Sequence, residues 1–292
     1  MPKSGSVNLR KFLSTALLLG VLVSCGSSGD STNSSESTSQ TAPDSGVADL
    51  PVIAVTYSVI GNIVSQLVGD NASVNVVIPD GQDPHDFQPS AKDIETINNA
   101  ALVVSNGLEF EEGLEEVLEN IADSGGNIFM VGDHITVRKI EDGDEHNDEH
   151  SDEHTGGDPH LWLSPATMLE MLPALTTALS EATSTDLSAE ATDLTTKLQV
   201  LDGEVESIIK SLDECKLVSG HDEMGYFADR YGCEVIGVII PSFTTTSEAT
   251  AGELAELKKL VEQNKVPAIF TGLGVSPDTA NQLAKELGIE AV

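Results

Sequence analysis

Three histidines are candidate metal ligands because of the residues around them. The tripeptide Asp-Pro-His occurs at residues 83–85 and again at residues 158–160, and His221 follows much later in the chain. Proline restricts its own φ and drives the preceding residue towards an extended conformation, so each tripeptide is a stiff corner that presents an imidazole. Three neutral imidazoles suit zinc first, with copper and nickel as competitors, whereas manganese prefers more oxygen ligands. We therefore predict a zinc site formed by His85, His160 and His221.

A histidine that binds a metal through one ring nitrogen needs an acceptor for the other nitrogen. Asp83, Asp158 and Asp222 lie beside the three histidines in the sequence, and we predict that they take this role.

Further histidines lie in an acidic stretch that has no apolar residue to bury. His146, His150 and His154 recur at every fourth position within residues 141–157. Such a composition predicts disorder in the absence of a ligand. One interpretation is a solvated acidic loop. The other is an auxiliary, low-affinity metal-collecting arm, since imidazoles mixed with carboxylates suit zinc, and the regular spacing favours this second interpretation.

The elements that must position the three candidate ligands alternate between strand and helix. Between residues 52 and 131, short β-branched runs alternate with amphipathic helical patterns, which predicts a parallel sheet covered on both faces. His85 follows the second predicted strand, and His160 lies in the long loop after the fourth. Because ligands bind at the carboxyl ends of such strands, both histidines lie at the edge where a ligand belongs.

The alternation restarts after residue 214, and His221 follows the first strand of this second lobe. Apolar residues at spacings of three and four between residues 188 and 212 predict a helix, which at a rise of about 1.5 Å per residue is about 37 Å long. This helix either joins two lobes as a rigid spine or packs as an ordinary helix of one domain. We favour two α/β lobes with parallel sheets, joined by the spine, with a metal in the cleft between them.

The chain divides by composition into successive segments. We predict a lipoprotein signal peptide at 1–25, a Ser/Thr-rich tether at 26–49, an N-terminal lobe at 50–165, helices including the spine at 166–213, and a C-terminal lobe at 214–292. The last lobe is expected to be incomplete, because the chain ends where a further strand should begin.

The N-terminus has the pattern of an export signal. Basic residues precede an apolar run from Phe12 to Val23 that is too short to span a bilayer. The run ends in Leu-Val-Ser-Cys, which resembles the lipobox of bacterial lipoproteins and implies acylation of Cys25. The alternative is an ordinary secreted protein with a chance cysteine. We expect an exported monomer, lipid-anchored to the outer face of the cell membrane or in the periplasm.

The charge of the chain excludes some partners. It has 14 basic and 48 acidic residues, a formal net charge of −34. Such a surface repels phosphate groups, which argues against nucleic acid as a partner.

Cys215 and Cys233 each immediately precede a predicted strand of the second lobe. Neighbouring parallel strands would bring the two residues within disulfide reach, and an exported protein can oxidise them. Two buried free thiols are an equally good alternative.

Three motifs in the expected order resemble one known family. Residues 81–90, 158–163 and 221–232 are similar to the ligand motifs of the zinc- and manganese-binding solute-binding proteins of ABC importers, the cluster A-I family. The resemblance implies two α/β lobes joined by a rigid helix, one metal between them, and a permease with its ATPase as partner. A histidine at position 221 resembles the zinc-type members, so Zn²⁺ is expected rather than Mn²⁺.

The fourth ligand is left open by two departures from this family. Members often carry a glutamate where this chain has Gly272, and the family's last ligand, an aspartate, would fall beyond Val292.

Three functions are compatible with such a site. We favour capture of zinc for import, which needs no catalysis. A zinc-dependent hydrolase also uses three histidines with an open position, and Glu223 would then be the candidate base. A metal-binding surface adhesin is the third, because some lipoproteins that resemble this family act in cell adhesion.

Overall fold

The computed structural model describes residues 50–139 and 157–292. Cys25, the tether and the histidines at positions 146, 150 and 154 lie outside the described residues. The first half of the described chain alternates strands and helices as predicted. Its elements are β1 (Val52–Tyr57), α1 (Ser58–Val68), β2 (Ser73–Ile78), α2 (Ala91–Asn98), β3 (Leu102–Ser105), α3 (Glu115–Asp123) and β4 (Ile128–Met130).

These four strands form one parallel sheet in the order β2-β1-β3-β4. Alternate residues of β1 enter two different cores, because successive side chains of a strand point to opposite faces. Ile53 packs in a cluster with Leu67 of α1, whereas Ala54 packs in another with Leu118 of α3. The predicted parallel sheet with helices on both faces is therefore confirmed.

Two long helices follow the first sheet. Helix α4 (Pro165–Thr183) buries Met171, Leu175 and Leu179 in the core of the first lobe. Helix α5 (Ser188–Lys210) packs against α4 and α1.

The predicted long helix is present, but its apolar face is less buried than the spacing indicates. Leu194 is the buried residue of α5, whereas Leu201 and Ile208 are 46% and 62% exposed. At 23 residues, α5 is longer than its neighbours α4, with 19, and α1, with 11. No residue in the second half of α5 is buried.

The second half of the chain forms another parallel arrangement. Its elements are β5 (Lys216–His221), α6 (Gly225–Tyr231), β6 (Glu234–Ile240), α7 (Ala251–Asn264), β7 (Ala268–Ile269), α8 (Pro277–Leu287) and β8 (Glu290–Ala291). Strand β5 pairs with β6, β7 pairs with β8, and a parallel bridge between Ser219 and Phe270 connects the two pairs. Val218, Ile239 and Ile269 belong to a core separate from those of the first sheet, so the folded part has two lobes.

Cys215 and Cys233 are joined in a disulfide, with their Cα atoms 4.7 Å apart. The two residues lie side by side because the backbone N–H of Glu234 donates to the carbonyl of Cys215 at the start of the β5–β6 pairing. Of the two alternatives, a disulfide and two free thiols, the structure contains the disulfide.

No helix within the described ranges combines the length and the apolar character that crossing a membrane requires.

Candidate metal centre

His85, His160 and His221 converge in the structure. One ring nitrogen from each lies within 4.8 Å of the others, and the residues are only 4%, 1% and 4% exposed. His85 lies in the loop after β2, His160 lies just before α4, and His221 is the last residue of β5. The site therefore takes two imidazoles from the first lobe and one from the second, as the positions at strand ends predicted.

The spacing of the inward nitrogens suits a small cation. The Nε2 atoms of His160 and His221 are 3.0 Å apart. Two nitrogens bound to one tetrahedral zinc at about 2.05 Å would lie about 3.3 Å apart, so these two rings need to move by only a few tenths of an ångström. The ring centroid of His85 is 5.6 Å from each of the other two.

On the outer side, each Nδ1 atom faces a carboxylate. The pairs are His160 Nδ1 with Asp158 Oδ1 at 3.0 Å, His85 Nδ1 with Glu112 Oε1 at 3.5 Å, and His221 Nδ1 with Glu223 Oε1 at 3.6 Å. A carboxylate on this side favours the tautomer that carries its proton on Nδ1 and leaves Nε2 free to bind a metal.

The structure places one of the three predicted aspartates beside a ring. Asp158 accepts from the ring of His160 and also from its backbone N–H. Asp83 instead accepts from the backbone N–H of His85 and from the hydroxyl of Thr245.

Asp222 donates its backbone N–H to the carbonyl of Ser242, and the carboxylate facing the His221 ring belongs to the next residue, Glu223. Glu112 could not be found from the sequence, because it lies 27 positions from His85 and reaches it only through the fold.

The electrostatics of the site favour a bound cation. Burial, reinforced by the neighbouring histidines, lowers the pKa of His221 to about 3, so its imidazole is neutral at neutral pH. Burial also raises the pKa of Asp158 to about 6 and that of Glu223 to about 7. A positive charge among these groups would offset the unfavourable burial of the carboxylates.

Buried nitrogens without partners are a further indication that the site takes a ligand. Among the residues that the structure describes, both ring nitrogens of His85 and Nδ1 of His221 are buried without a hydrogen-bond partner. Because an unpaired buried polar atom is unfavourable, the inward Nε2 atom of His85 fits a metal ion that would occupy its lone pair. The Nδ1 atoms of His85 and His221 are on the outer side, where they face carboxylates.

Aromatic rings line the site. The ring centroid of Phe110 lies 5.1 Å from that of His85, and the Trp162 centroid lies 5.5 Å from that of His160. Phe243 of the second lobe stacks on His160 at 6.4 Å. The rings therefore place apolar surface against His85 and His160.

Two threonines of the second lobe bind the first lobe beside the site. The hydroxyl of Thr244 donates to Glu112 at 2.5 Å, and the hydroxyl of Thr245 donates to Asp83. Both acceptors lie close to His85, so the two lobes are in contact beside this candidate ligand.

A second set of contacts lies behind His160. The Tyr226 hydroxyl donates to the carbonyl of Asp158 at 3.0 Å, and the guanidinium of Arg138 pairs with Asp229 at 2.9 Å. The backbone N–H of Asp158 donates to the carbonyl of Arg138 at 3.1 Å. This last bond joins the two chain ends that flank residues 140–156.

Comparisons with known proteins agree with this architecture. The family model for the periplasmic zinc-uptake complex component A, ZnuA, matches residues 53–292. The chain is 28% identical over 244 residues to the zinc-binding lipoprotein AdcA of Streptococcus pneumoniae, covering 82% of this chain and 48% of that protein. It is 23% identical over 243 residues to the manganese-binding lipoprotein MntA of Halalkalibacterium halodurans, covering 82% of this chain and 76% of that protein. The chain thus spans about half the length of the streptococcal AdcA relative.

Solved structures show the same fold. A crystal structure of ZnuA superposes with a TM-score of 0.70 at 23% identity, covering 83% of this chain and 90% of that one. The periplasmic zinc-binding protein TroA of Treponema pallidum superposes with a TM-score of 0.68 at 25% identity, covering 83% and 87%. Since the family model covers most of the chain and the fold agrees, this protein belongs to the family of ZnuA, the zinc-uptake complex component A.

Proposed function

We propose that this protein captures Zn²⁺ between its lobes through His85, His160 and His221 and delivers it to an ABC permease driven by an ATPase. The observation that carries the proposal is the convergence of three buried imidazoles from both lobes, with Nε2 atoms 3.0 Å apart in the closest pair. Membership of a zinc-uptake family supports the same conclusion. The ion is cargo, and no bond of a substrate needs to be made or broken.

The donor set favours zinc over manganese. The three inward groups are nitrogen donors, whereas Asp158, Glu112 and Glu223 face the outer nitrogens of the rings. Manganese prefers oxygen ligands, and this arrangement directs nitrogen to the centre. The fourth position of a tetrahedral zinc is left to a water molecule or another oxygen donor.

Delivery requires the lobes to separate. His221 belongs to the second lobe, so opening the cleft would withdraw one of three ligands and weaken the hold on the ion. The hydroxyls of Thr244 and Thr245 bond to carboxylates of the first lobe and would be released in the same movement. Transfer to a permease therefore needs only a partner that binds the open form better.

The rest of the chain fits an exported, membrane-anchored monomer. We propose that Cys25 is acylated and that residues 26–49 tether the folded body, with lobes at 50–165 and 214–292 and connecting helices at 166–213. We also propose that His146, His150 and His154 form an auxiliary, weak site that collects zinc near the tight one.

The test is calorimetric titration of the unlipidated chain with Zn²⁺ and, separately, with Mn²⁺, after treatment with a chelator. We expect one tight zinc per protein and manganese binding weaker by a factor of about 100 or more. Equal or tighter binding of manganese would overturn the assignment of the cargo. Absence of any tight divalent metal would overturn the capture function.

A further inference from the structure

The carboxylate of Glu223 faces the outer nitrogen of His221 in a constrained position. Its Oε1 atom is 3.6 Å from Nδ1, and its side chain is 13% exposed. The backbone N–H of Glu223 donates to the carbonyl of His221 at 2.9 Å, which fixes the turn that connects the two residues. The distance to Nδ1 is slightly longer than a formed hydrogen bond, and a small rotation of the carboxylate would close it.

We propose that Glu223 is a positioning residue for zinc capture: it accepts the proton on Nδ1 of His221 and so keeps Nε2 free and directed at the ion. This inference rests on the proposed function of the histidine site. Nδ1 of His221 is buried without a hydrogen-bond partner among the described residues, so a proton on this atom would need an acceptor from a group that already lies beside it. Glu223 is the carboxylate that the structure places there.

Gly272 provides the space for this carboxylate. A Cβ atom added at residue 272 would lie 3.1 Å from Oε2 and 3.4 Å from Oε1 of Glu223. Phe270, two residues earlier, is bridged to Ser219 of β5, and this pairing brings Gly272 to the edge of the sheet that carries His221. The glycine at residue 272 therefore leaves the space that the Glu223 carboxylate occupies.

The neighbouring acid does not serve the same ring. The backbone N–H of Asp222 bonds to Ser242, and its carboxyl group interacts electrostatically with Asp158 and Arg138, on the other side of the turn. Asp158 is in turn engaged with the ring of His160. Each acid thus has a separate role, and His221 depends on Glu223.

Four variants test the proposal: E223A, which removes the acceptor; E223Q, which keeps a neutral acceptor of the same length; G272A, which crowds the carboxylate; and the double variant E223A/G272A. E248A serves as the matched control, because Glu248 is exposed in the same lobe. E223M, which keeps the length without a good acceptor, replaces E223A should that variant not fold.

The first measurement is the tautomer of His221 in the metal-free protein, read from imidazole ¹⁵N chemical shifts. In the metal-free protein, the Nε2–H form of His221 would donate to Nε2 of His160, 3.0 Å away, whereas the Nδ1–H form would donate to Glu223. We expect the fraction of the Nδ1–H form to be lower in E223A than in the wild type, E223Q and E248A. An unchanged tautomer in both E223A and E223M overturns the proposal. Because this measurement uses no zinc, it remains decisive even if the capture function fails.

The second measurement is zinc affinity by competition with a chelator. We expect E223A to bind zinc about 10–100-fold more weakly and E223Q to remain within about fivefold of the wild type. G272A should weaken binding in the wild-type background and have no further effect in E223A, since the group that it crowds is then missing. Additive losses, or E223A within twofold of the wild type, overturn the proposal, whereas absence of tight zinc in the wild type overturns the proposed function instead.

Discussion

The hydroxyl of Thr244 in the second lobe donates a hydrogen bond to Glu112 in the first lobe at 2.5 Å. The same carboxylate oxygen lies 3.5 Å from Nδ1 of His85. Thr244 is 3% exposed and the side chain of Glu112 is 35% exposed, so the bond is shielded from water on the threonine side. One acid therefore contacts both a candidate metal ligand of one lobe and a threonine side chain of the other, and we expect binding of the ion to be coupled to closure of the cleft.

The first prediction concerns this bond. Replacing Thr244 by Val keeps the shape of the side chain and removes the donor, so the closed form loses one interaction between the lobes. We expect zinc to dissociate at least about 10-fold faster, because a hydrogen bond to a charged group contributes about 1.5–3 kcal/mol. Stopped-flow release of zinc into a fluorescent chelator measures the rate. T279V, at an exposed position of the same lobe, should release zinc at the wild-type rate.

The second prediction concerns the three histidines. H85A, H160A and H221A should each lose tight zinc, because two imidazoles cannot complete the donor set. H134A is the control, since His134 is exposed and stacks on Phe129 at 4.3 Å, away from the site. Calorimetry distinguishes the cases. If all three variants kept tight zinc, the ion would have to be held elsewhere, and the three-imidazole site would be wrong.

The third prediction is a pH dependence of stability in the metal-free protein. The pKa of Glu223 is raised from 4.5 to about 7, so the folded state binds more protons than the unfolded state between these values. Its contribution to stability is therefore present below pH 4.5 and is lost as the pH rises through about 7. E223Q, which stays neutral, should exceed the wild type in unfolding free energy by on the order of 2 kcal/mol at pH 8 and by nothing at pH 4.

Chemical denaturation at a series of pH values measures this difference. His221 acts in the opposite sense, because its depressed pKa destabilises the fold as the pH falls below 6.5, but this effect is common to both proteins and cancels in the comparison. E248Q should follow the wild type at every pH. If the difference in unfolding free energy between E223Q and the wild type were the same at every pH, burial of the charged Glu223 carboxylate would not be the cause of that difference.

The fourth prediction concerns the disulfide. The two cysteines are 18 residues apart, and a closed loop of that size stabilises a fold by about 3 kcal/mol. The double variant C215S/C233S should therefore unfold at lower denaturant concentration, while zinc still binds one to one because His221 lies at the other end of β5. Adding a reductant should destabilise the wild type and leave the variant unchanged. Loss of zinc binding in the variant would contradict this separation of stability from the site.

The fifth prediction concerns the acidic stretch with its histidines. Because the Asp158 N–H bonds to the Arg138 carbonyl at 3.1 Å, the chain ends that flank residues 140–156 are already held together. Deleting residues 141–156 should leave the tight site intact and remove only the additional weak zinc binding. Titration with excess zinc measures both. A control variant that keeps residues 141–156 but replaces the three histidines by serine should behave like the deletion. Loss of the tight zinc site in the deletion or in this variant would contradict the auxiliary role of these histidines.

Much of the fold could be predicted because the local signals agree with the tertiary structure. Ser90, a residue type that favours the N-cap position, forms a capping box with Asp93 at the start of α2. The strands of the first sheet are short and largely apolar, as is typical of buried parallel strands. The exposed second half of α5 could not be predicted, because spacing shows which residues share a face and not whether another element covers that face.

The convergence of the three histidines could be predicted, whereas most of the groups around them could not. The Asp-Pro-His corners are local signals, and Asp158 reaches the His160 ring from two residues away. Glu112 and Thr244 reach the site from distant segments, and no pattern near His85 indicates them. The choice of Glu223 over Asp222 depends on the direction of one turn after β5, which only the backbone geometry determines.

The bond between Arg138 and Asp158 has a consequence for engineering. The bond holds the two ends of the chain that flank residues 140–156 side by side. A fluorescent reporter that replaced residues 141–156 would be attached at these two ends, and it would therefore add little strain to the two lobes. Asp158 also contacts the ring of His160, a candidate ligand. The reporter would thus be attached close in sequence to a residue that contacts the proposed zinc site. The same geometry would make this protein a scaffold for a genetically encoded zinc sensor.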